Sequence, residues 1–194
     1  ATTSLVAEDN GTKTPEKIPS IVRQSLWIAL ILGIIAMLIL QAAPLLLPLF
    51  GVPDSLLPKA SLFLHAIAFG MPAVTMYSAL RNYSEALGFP RPVTALSLGA
   101  LVALIPLNFI FMYGLGPIPQ LGSAGCGFAT AILQWLMLII LAIYVFKAKR
   151  YQKTQPLTHW EKMNPVLIKR ILKLGLPIGL AIFFEVSIFS TGAI

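Results

Sequence analysis

The stretch Gly175–Ile194 reads G-L-P-I-G-L-A-I-F-F-E-V-S-I-F-S-T-G-A-I, an apolar run with one carboxylate, Glu185, near its middle. A charged side chain at the centre of a membrane helix costs about 2.5–3.5 kcal/mol on insertion scales, so an acid there usually faces a cavity or a partner and handles an ion or a substrate. No Lys or Arg lies in the same run to pair with it. Its partner is then a cation, a proton or a group on another helix, which makes Glu185 the first candidate for cation coupling and for holding a metal ion. Three neutral polar side chains, Asn108, Thr130 and Gln134, also sit inside long apolar runs. Each can line a cavity or bond to a neighbouring helix, and since interhelical bonds of that kind contribute about 1 kcal/mol and are common, both readings stay open. Gln41 lies near the end of its run and reads as interfacial.

Other chemistries lack their residues. No Cys or His cluster has metal-ligand spacing, and neither G-x-S-x-G nor a Gly-rich phosphate loop with its Lys is present. His65 reads as a packing hydrogen bond; His159 lies in the basic connection, where Trp160 beside it reads as resting at the headgroups. The single Cys126 has no internal disulfide partner and reads as a small packed thiol.

The elements that must position these groups follow from composition. Of 194 residues, 57% are hydrophobic and 11% charged, with a mean hydropathy of +0.84; a soluble domain carries about 25% charge. This is a membrane protein. The chain starts without Met and stops inside an apolar run, and is read here as a piece of a longer one. About 20 residues cross the hydrocarbon at 1.5 Å each, and the runs Gln24–Leu49, Leu56–Leu80 continuing as one helix toward Leu87, Val93–Tyr113 and Ser123–Phe146 qualify, with a last span from Gly175. Arg81 and Glu85, four apart, predict an ion pair on one helix face. Pro106, two residues before Asn108, frees a backbone carbonyl that the amide can satisfy. Small residues at four-residue spacing, Ser123 with Gly127 and Gly125 with Ala129, predict close approach of a neighbouring helix. The architecture is all-α, a polytopic membrane helical bundle in which every spanning backbone bonds to itself.

The formal charge is +7, but the cations lie between apolar runs and not on an aromatic-interleaved face, so nucleic acid is not the partner. Topology explains them. With alternating connections, Lys13, Lys17, Arg23, Arg81, Arg91 and the eight cations of residues 147–173 fall on one side, and Lys59 alone on the other. Cytoplasmic connections carry the Lys and Arg excess, so the rich side faces the cytoplasm.

Four segments in this order, R-N-Y-S-E-A-L-G-F-P-R (81–91), P-L-N-F-I-F-M-Y-G (106–114), L-G-S-A-G-C-G-F-A-T (121–130) and G-L-P-I-G-L-A-I-F-F-E (175–185), make the chain resemble the multidrug and toxic compound extrusion (MATE) transporters of the NorM type. The resemblance implies a partial MATE-like fold: about five transmembrane helices of an expected twelve, which form two six-helix lobes around a cavity. Residues 1–23 would be the end of a preceding helix and a cytoplasmic loop, 24–146 four helices of the N-terminal lobe, 147–174 the cytoplasmic inter-lobe linker, and 175–194 the first helix of the C-terminal lobe, truncated. It implies a secondary antiporter in a bacterial inner membrane, exporting cationic lipophilic drugs or dyes by alternating access in exchange for sodium ions or protons. No other cofactor is implied, and a monomer is expected. Glu185 matches the seventh-helix glutamate of cation coupling, a possible sodium ligand, and Asn108 and Thr130 match first-lobe cavity positions, with Gln134 beside them. Some proton-coupled branches carry Asp where this chain has Asn108. A lipid-linked precursor flippase of the same superfamily is the alternative; an intramembrane enzyme using His65 or Glu85 lacks a second catalytic group.

Overall fold

The structure, a computed structural model, describes residues 18–50, 53–114, 120–151 and 164–192. Proline marks where most of its helices start, because a first-turn residue has no intrahelical acceptor for its N–H and the ring pre-sets a helical φ. Helix α1 (Ile18–Ala42) has Pro19 in its first turn, α2 (Leu57–Ala68) Pro58, and α3 (Met71–Ala86) Pro72. Helix α4 (Pro90–Tyr113) has Pro90 and Pro92. Helix α5 (Ser123–Lys147) follows Gly122, and α6 (Pro165–Gly192) again opens on proline. Every regular element among the described residues is helical. Ala1–Lys17 and the segment 152–163, with His159 and Trp160, lie outside the described residues.

Several expected boundaries shift, each for a backbone reason. The first span starts at Ile18 instead of Gln24, and its α-helix ends at Ala42, giving way to 3-10 turns at Ala43–Leu45 and Leu47–Phe50. Pro44 and Pro48 withhold the N–H groups that an α-ladder would need there. The second span is broken into α2 and α3 at Phe69–Gly70 and is not one continuous helix. Pro72 has no N–H for the Ala68 carbonyl, and the chain turns so that the Trp135 indole N–H donates to the Phe69 carbonyl at 3.1 Å. Pro106, by contrast, breaks nothing: α4 runs through it, as membrane helices allow where neighbours accommodate the freed carbonyl. Helix α6 begins at Pro165, inside the segment expected to be linker.

Among the described residues, four helical stretches are long and apolar enough to cross a membrane: Ile18–Leu45, Leu57–Ala86, Pro90–Tyr113 and Ser123–Lys147. Helix α6, 28 residues long, is the fifth long helix, and many side chains of its last third lie outside the described residues. Helix α1 packs on α3, and α5 packs against α2, α3 and α4. The small-residue face of α5 makes this possible. A Cβ on Gly125 would lie 2.5 Å from the Phe111 carbonyl carbon of α4, and one on Gly127 would lie 2.9 Å from the Phe63 carbonyl oxygen of α2. The expected close approach is therefore present on two sides of α5.

The end that carries the cations is tied together by a buried cluster. Tyr83 and Tyr151 are both essentially unexposed, with ring centroids 5.6 Å apart, and Phe89 and Tyr144 pack on Tyr151 at 5.8 and 6.2 Å. The Tyr151 and Ser84 hydroxyls share a 2.6 Å hydrogen bond, and the Arg150 guanidinium sits 5.7 Å from the Phe89 centroid. Ser84 also donates to the Phe89 carbonyl at 2.8 Å, holding the turn through Gly88, whose φ of 80° suits glycine. Burial pushes the Tyr151 phenol pKa above its ordinary value, the Ser84 bond opposing in part.

Candidate functional site

Asn108 on α4 and Thr130 on α5 are brought to nearly the same depth by the glycine contact. The two helices run antiparallel with Phe111 against Gly125, so Asn108 is level with Phe128. Thr130 is then about 3 Å further along the axis at 1.5 Å per residue. The Thr130 hydroxyl donates to the Cys126 carbonyl of its own helix at 2.8 Å, and Gln134, four residues on, shares its face. The Asn108 carboxamide oxygen is shielded from solvent without a hydrogen-bond partner among the described residues. The expected donation from its amide to the carbonyl freed by Pro106 does not form. A buried acceptor left unsatisfied costs about 1–3 kcal/mol, a cost that a donor or cation entering beside it would remove.

Glu185 lies on α6, exposed. Two contacts tie the start of α6 to the other helices: Gln24, wholly buried on α1, accepts the Asn164 backbone N–H at 3.0 Å, and Ile171 joins the buried cluster of α1, α3 and α5. The Asn164 carboxamide oxygen accepts the Val166 N–H at 3.1 Å, capping the helix start. Glu185 is 14 residues past Ile171, about 21 Å along a straight helix. The described residues do not bring Glu185 together with Asn108, Thr130 or Gln134, and among them no group of three or more His, Cys, Asp or Glu forms a metal cluster.

The remaining expected residues have local roles. His65 does not bond to another helix: its Nδ1–H donates to the Ser61 carbonyl at 2.7 Å, within α2. Its ring faces an apolar cavity of about 510 Å³ with Phe69, Phe128, Trp135 and Ile139. Arg81 Nε donates to Glu85 at 2.8 Å, the expected surface pair, which accounts for Glu85 without catalysis. Gln41 is in the last turn of α1, at the end of its span. Cys126 lines a separate cavity with Lys59 and Phe63, at the end opposite the cation-rich one.

Sequence reasoning missed a groove of about 260 Å³ between α1 and α3, where four polar residues, Ser25, Thr75, Ser78 and Asn82, join an otherwise apolar lining that includes Ile171. The signal was available, since positions 75, 78 and 82 fall on one helical face. Gln24 and Tyr151 were also missed, and nothing in their local sequence marks them, because their partners are 140 and 67 residues away.

Comparison with known proteins fits this arrangement. The family model described as MatE matches residues 1–110, more than half of the chain. The chain is 75% identical over all its 194 residues to "Probable multidrug resistance protein NorM" of Acinetobacter baylyi, covering 43% of that protein. It is 37% identical, again over its full length, to "Multidrug resistance protein PmpM" of Pseudomonas aeruginosa, covering 41% of it. Among solved structures, an inward-facing multidrug resistance MATE family transporter matches 91% of the chain and 39% of its own length, with a TM-score of 0.78 at 22% identity. That likeness speaks to the fold. The chain is a multi-pass membrane protein with bacterial relatives, and its apolar helices fit a bacterial inner membrane. It belongs to the MatE family, and spans less than half the length of these relatives.

Proposed function

We infer that this chain forms most of one helical lobe and the opening helix of a second in a secondary transporter, a carrier and not an enzyme. It exports cationic lipophilic compounds by alternating access, in exchange for sodium ions or protons. The observation that carries this reading is the similarity, extending over the full chain, to relatives named as multidrug resistance proteins. Residues 147–174 join the lobes on the cytoplasmic side. Glu185 is the coupling carboxylate, reached by a proton or a sodium ion from the cavity, and Asn108, Thr130 and Gln134 line the first lobe's share of that cavity. The buried, unpartnered Asn108 oxygen supports its part, because an acceptor of this kind can take a hydrogen bond from a substrate's polar edge.

The test is Glu185→Gln in the full-length protein reconstituted into vesicles, with efflux of a fluorescent cation driven separately by a sodium and by a proton gradient. The substitution keeps the shape and removes the charge. Gradient-driven efflux is expected to fall about tenfold or more, within the usual range of coupling free energies, under whichever gradient drives the wild type. Undiminished efflux would sink the coupling role. Asn108→Ala and Thr130→Val are expected to change apparent affinity for the cation while the dependence on the gradient persists.

A further inference from the structure

Residues 152–163 are flanked by two fastenings that differ in kind. Before them, Tyr151 is buried among the rings of Tyr83, Phe89 and Tyr144, and its hydroxyl lies 2.6 Å from that of Ser84. The neighbouring Arg150 guanidinium adds a cation–π contact to Phe89. This fastening joins α3, the turn before α4 and the end of α5, and it is mostly aromatic. After them, the start of α6 is held to α1 through a polar contact and a small apolar one. Gln24 accepts the Asn164 N–H at 3.0 Å, and Ile171 is the one residue of α6 that is buried, among those whose side chains are described. Ile171 is packed within the cluster of α1, α3 and α5 themselves, whatever lies on the outer faces of the bundle.

We propose that Tyr151 is a fixed anchor and Gln24 a releasable latch, so that the start of α6 can leave α1 while the end of α5 and the turn between α3 and α4 keep their places. Small contacts between parts of a chain permit relative motion, whereas large apolar ones do not. Parting Tyr151 from its neighbours would open the packed aromatic rings and break the Ser84 bond. Parting α6 from α1 exposes one isoleucine, and the glutamine makes that step easier still. A wholly buried carboxamide is tolerated only while it is bonded. Once α6 moves off, water reaches Gln24 and replaces the Asn164 N–H, so release strands no polar group. Water is close by, because Gln24 lies near the start of α1, at the cation-rich end. Twelve residues separate anchor from latch, and an extended chain of that length spans up to about 40 Å, so the anchor does not restrain the latch. What the release serves rests on the reading of α6 as the opening helix of a second lobe: it lets that helix shift with its own lobe.

The test is hydrogen–deuterium exchange of the full-length protein, read by mass spectrometry in peptides covering residues 83–89 and 164–171. Segments that open on their own exchange faster than the parts they leave. In the wild type, 164–171 is expected to exchange about tenfold faster than 83–89 or more. Gln24→Leu, which keeps the bulk and removes the acceptor, should speed 164–171 by a further three- to tenfold, the effect of one lost hydrogen bond at about 0.5–1.5 kcal/mol, and leave 83–89 unchanged. Tyr151→Phe should speed 83–89 and leave 164–171 unchanged. Ile171→Ala, which removes the apolar half of the latch, takes the place of Gln24→Leu if that variant loses the wild-type circular dichroism. Exchange at 164–171 no faster than at 83–89 in the wild type would overturn the proposal in favour of a single fixed block. So would equal acceleration of both peptides in Gln24→Leu, or none at 164–171. The readout uses no gradient and no transported compound, so it stands or falls apart from the transport reading, which the Glu185→Gln efflux assay tests.

Discussion

Gly125→Ala tests whether α4 and α5 are held together by backbone contact. The added Cβ would meet the Phe111 carbonyl oxygen directly, and would lie 2.5 Å from its carbon and 2.9 Å from the Met112 nitrogen. All three are main-chain atoms of α4, so no side chain can swing away, and α4 and α5 must separate by about 1 Å to reach ordinary carbon contact near 3.5 Å. The Leu121 N–H to Phe111 O bond at 3.3 Å and the Gly122 N–H to Met112 O bond at 3.2 Å close the turn at the same place. Both are already long, and the separation would break them. Overpacking costs about 1–3 kcal/mol and each lost bond about 0.5–1.5 kcal/mol, so a loss of about 3–4 kcal/mol is expected. In a folded unit of 150–250 residues each kcal/mol moves Tm by about 2–4 °C, giving a fall of about 6–16 °C in a thermal scan of detergent-purified protein. Gly99→Ala on α4 is the control, since its Cβ would meet nothing within 4 Å and Ala there should gain about 0.5–1 kcal/mol. A Gly125→Ala protein melting within 2 °C of the Gly99→Ala protein, the smallest shift expected for about 1 kcal/mol, would refute backbone contact as what sets the α4–α5 spacing.

Other substitutions probe the remaining joints. Trp135→Phe keeps an aromatic ring but removes the donor to the Phe69 carbonyl, and should destabilise the protein by about 1–3 kcal/mol, read in the same thermal scan; Trp135→Leu should be no milder. Tyr151→Phe removes the hydroxyl bonded to Ser84, and should speed limited tryptic cleavage at Lys149 and Arg150 while leaving the helix content by circular dichroism unchanged. The raised Tyr151 pKa carries a sign: its stabilising share is fully present below about pH 10, where the unfolded phenol titrates, and is lost as pH rises through the higher folded value. Melting temperature should therefore fall faster above pH 10 in wild type than in Tyr151→Phe. Arg81→Ala should cost less than about 1 kcal/mol, because the Glu85 pair is largely exposed; a larger Tm loss would mean the pair is fastened to something beyond its own helix.

Residues 24–147 were legible as membrane helices because apolar length and the flanking charges are local signals, each written within one span. The α5 glycines were legible for the same reason: their spacing has one physical use in a membrane helix, and Phe111 and Phe63 are where it is used. The break between α2 and α3 was legible in principle, in Gly70 and Pro72, but mean apolarity hides a missing N–H, and the Trp135 donor that makes the break tolerable lies on another helix. Pro106 shows why proline alone does not decide, since α4 passes through it unbroken. The two fastenings at the cation-rich end, Tyr151 to Ser84 and Asn164 to Gln24, had no local signal at all. They change how the candidate site is divided. Because the residues on either side of 152–163 are both bonded to the first group of helices, the start of α6 belongs mechanically to that group, together with Asn108 and Thr130. Glu185 lies 14 residues past Ile171, about 21 Å along the helix. Glu185, proposed above as the coupling carboxylate, is therefore carried on a helix whose start is bonded to the same group of helices that bears Asn108 and Thr130.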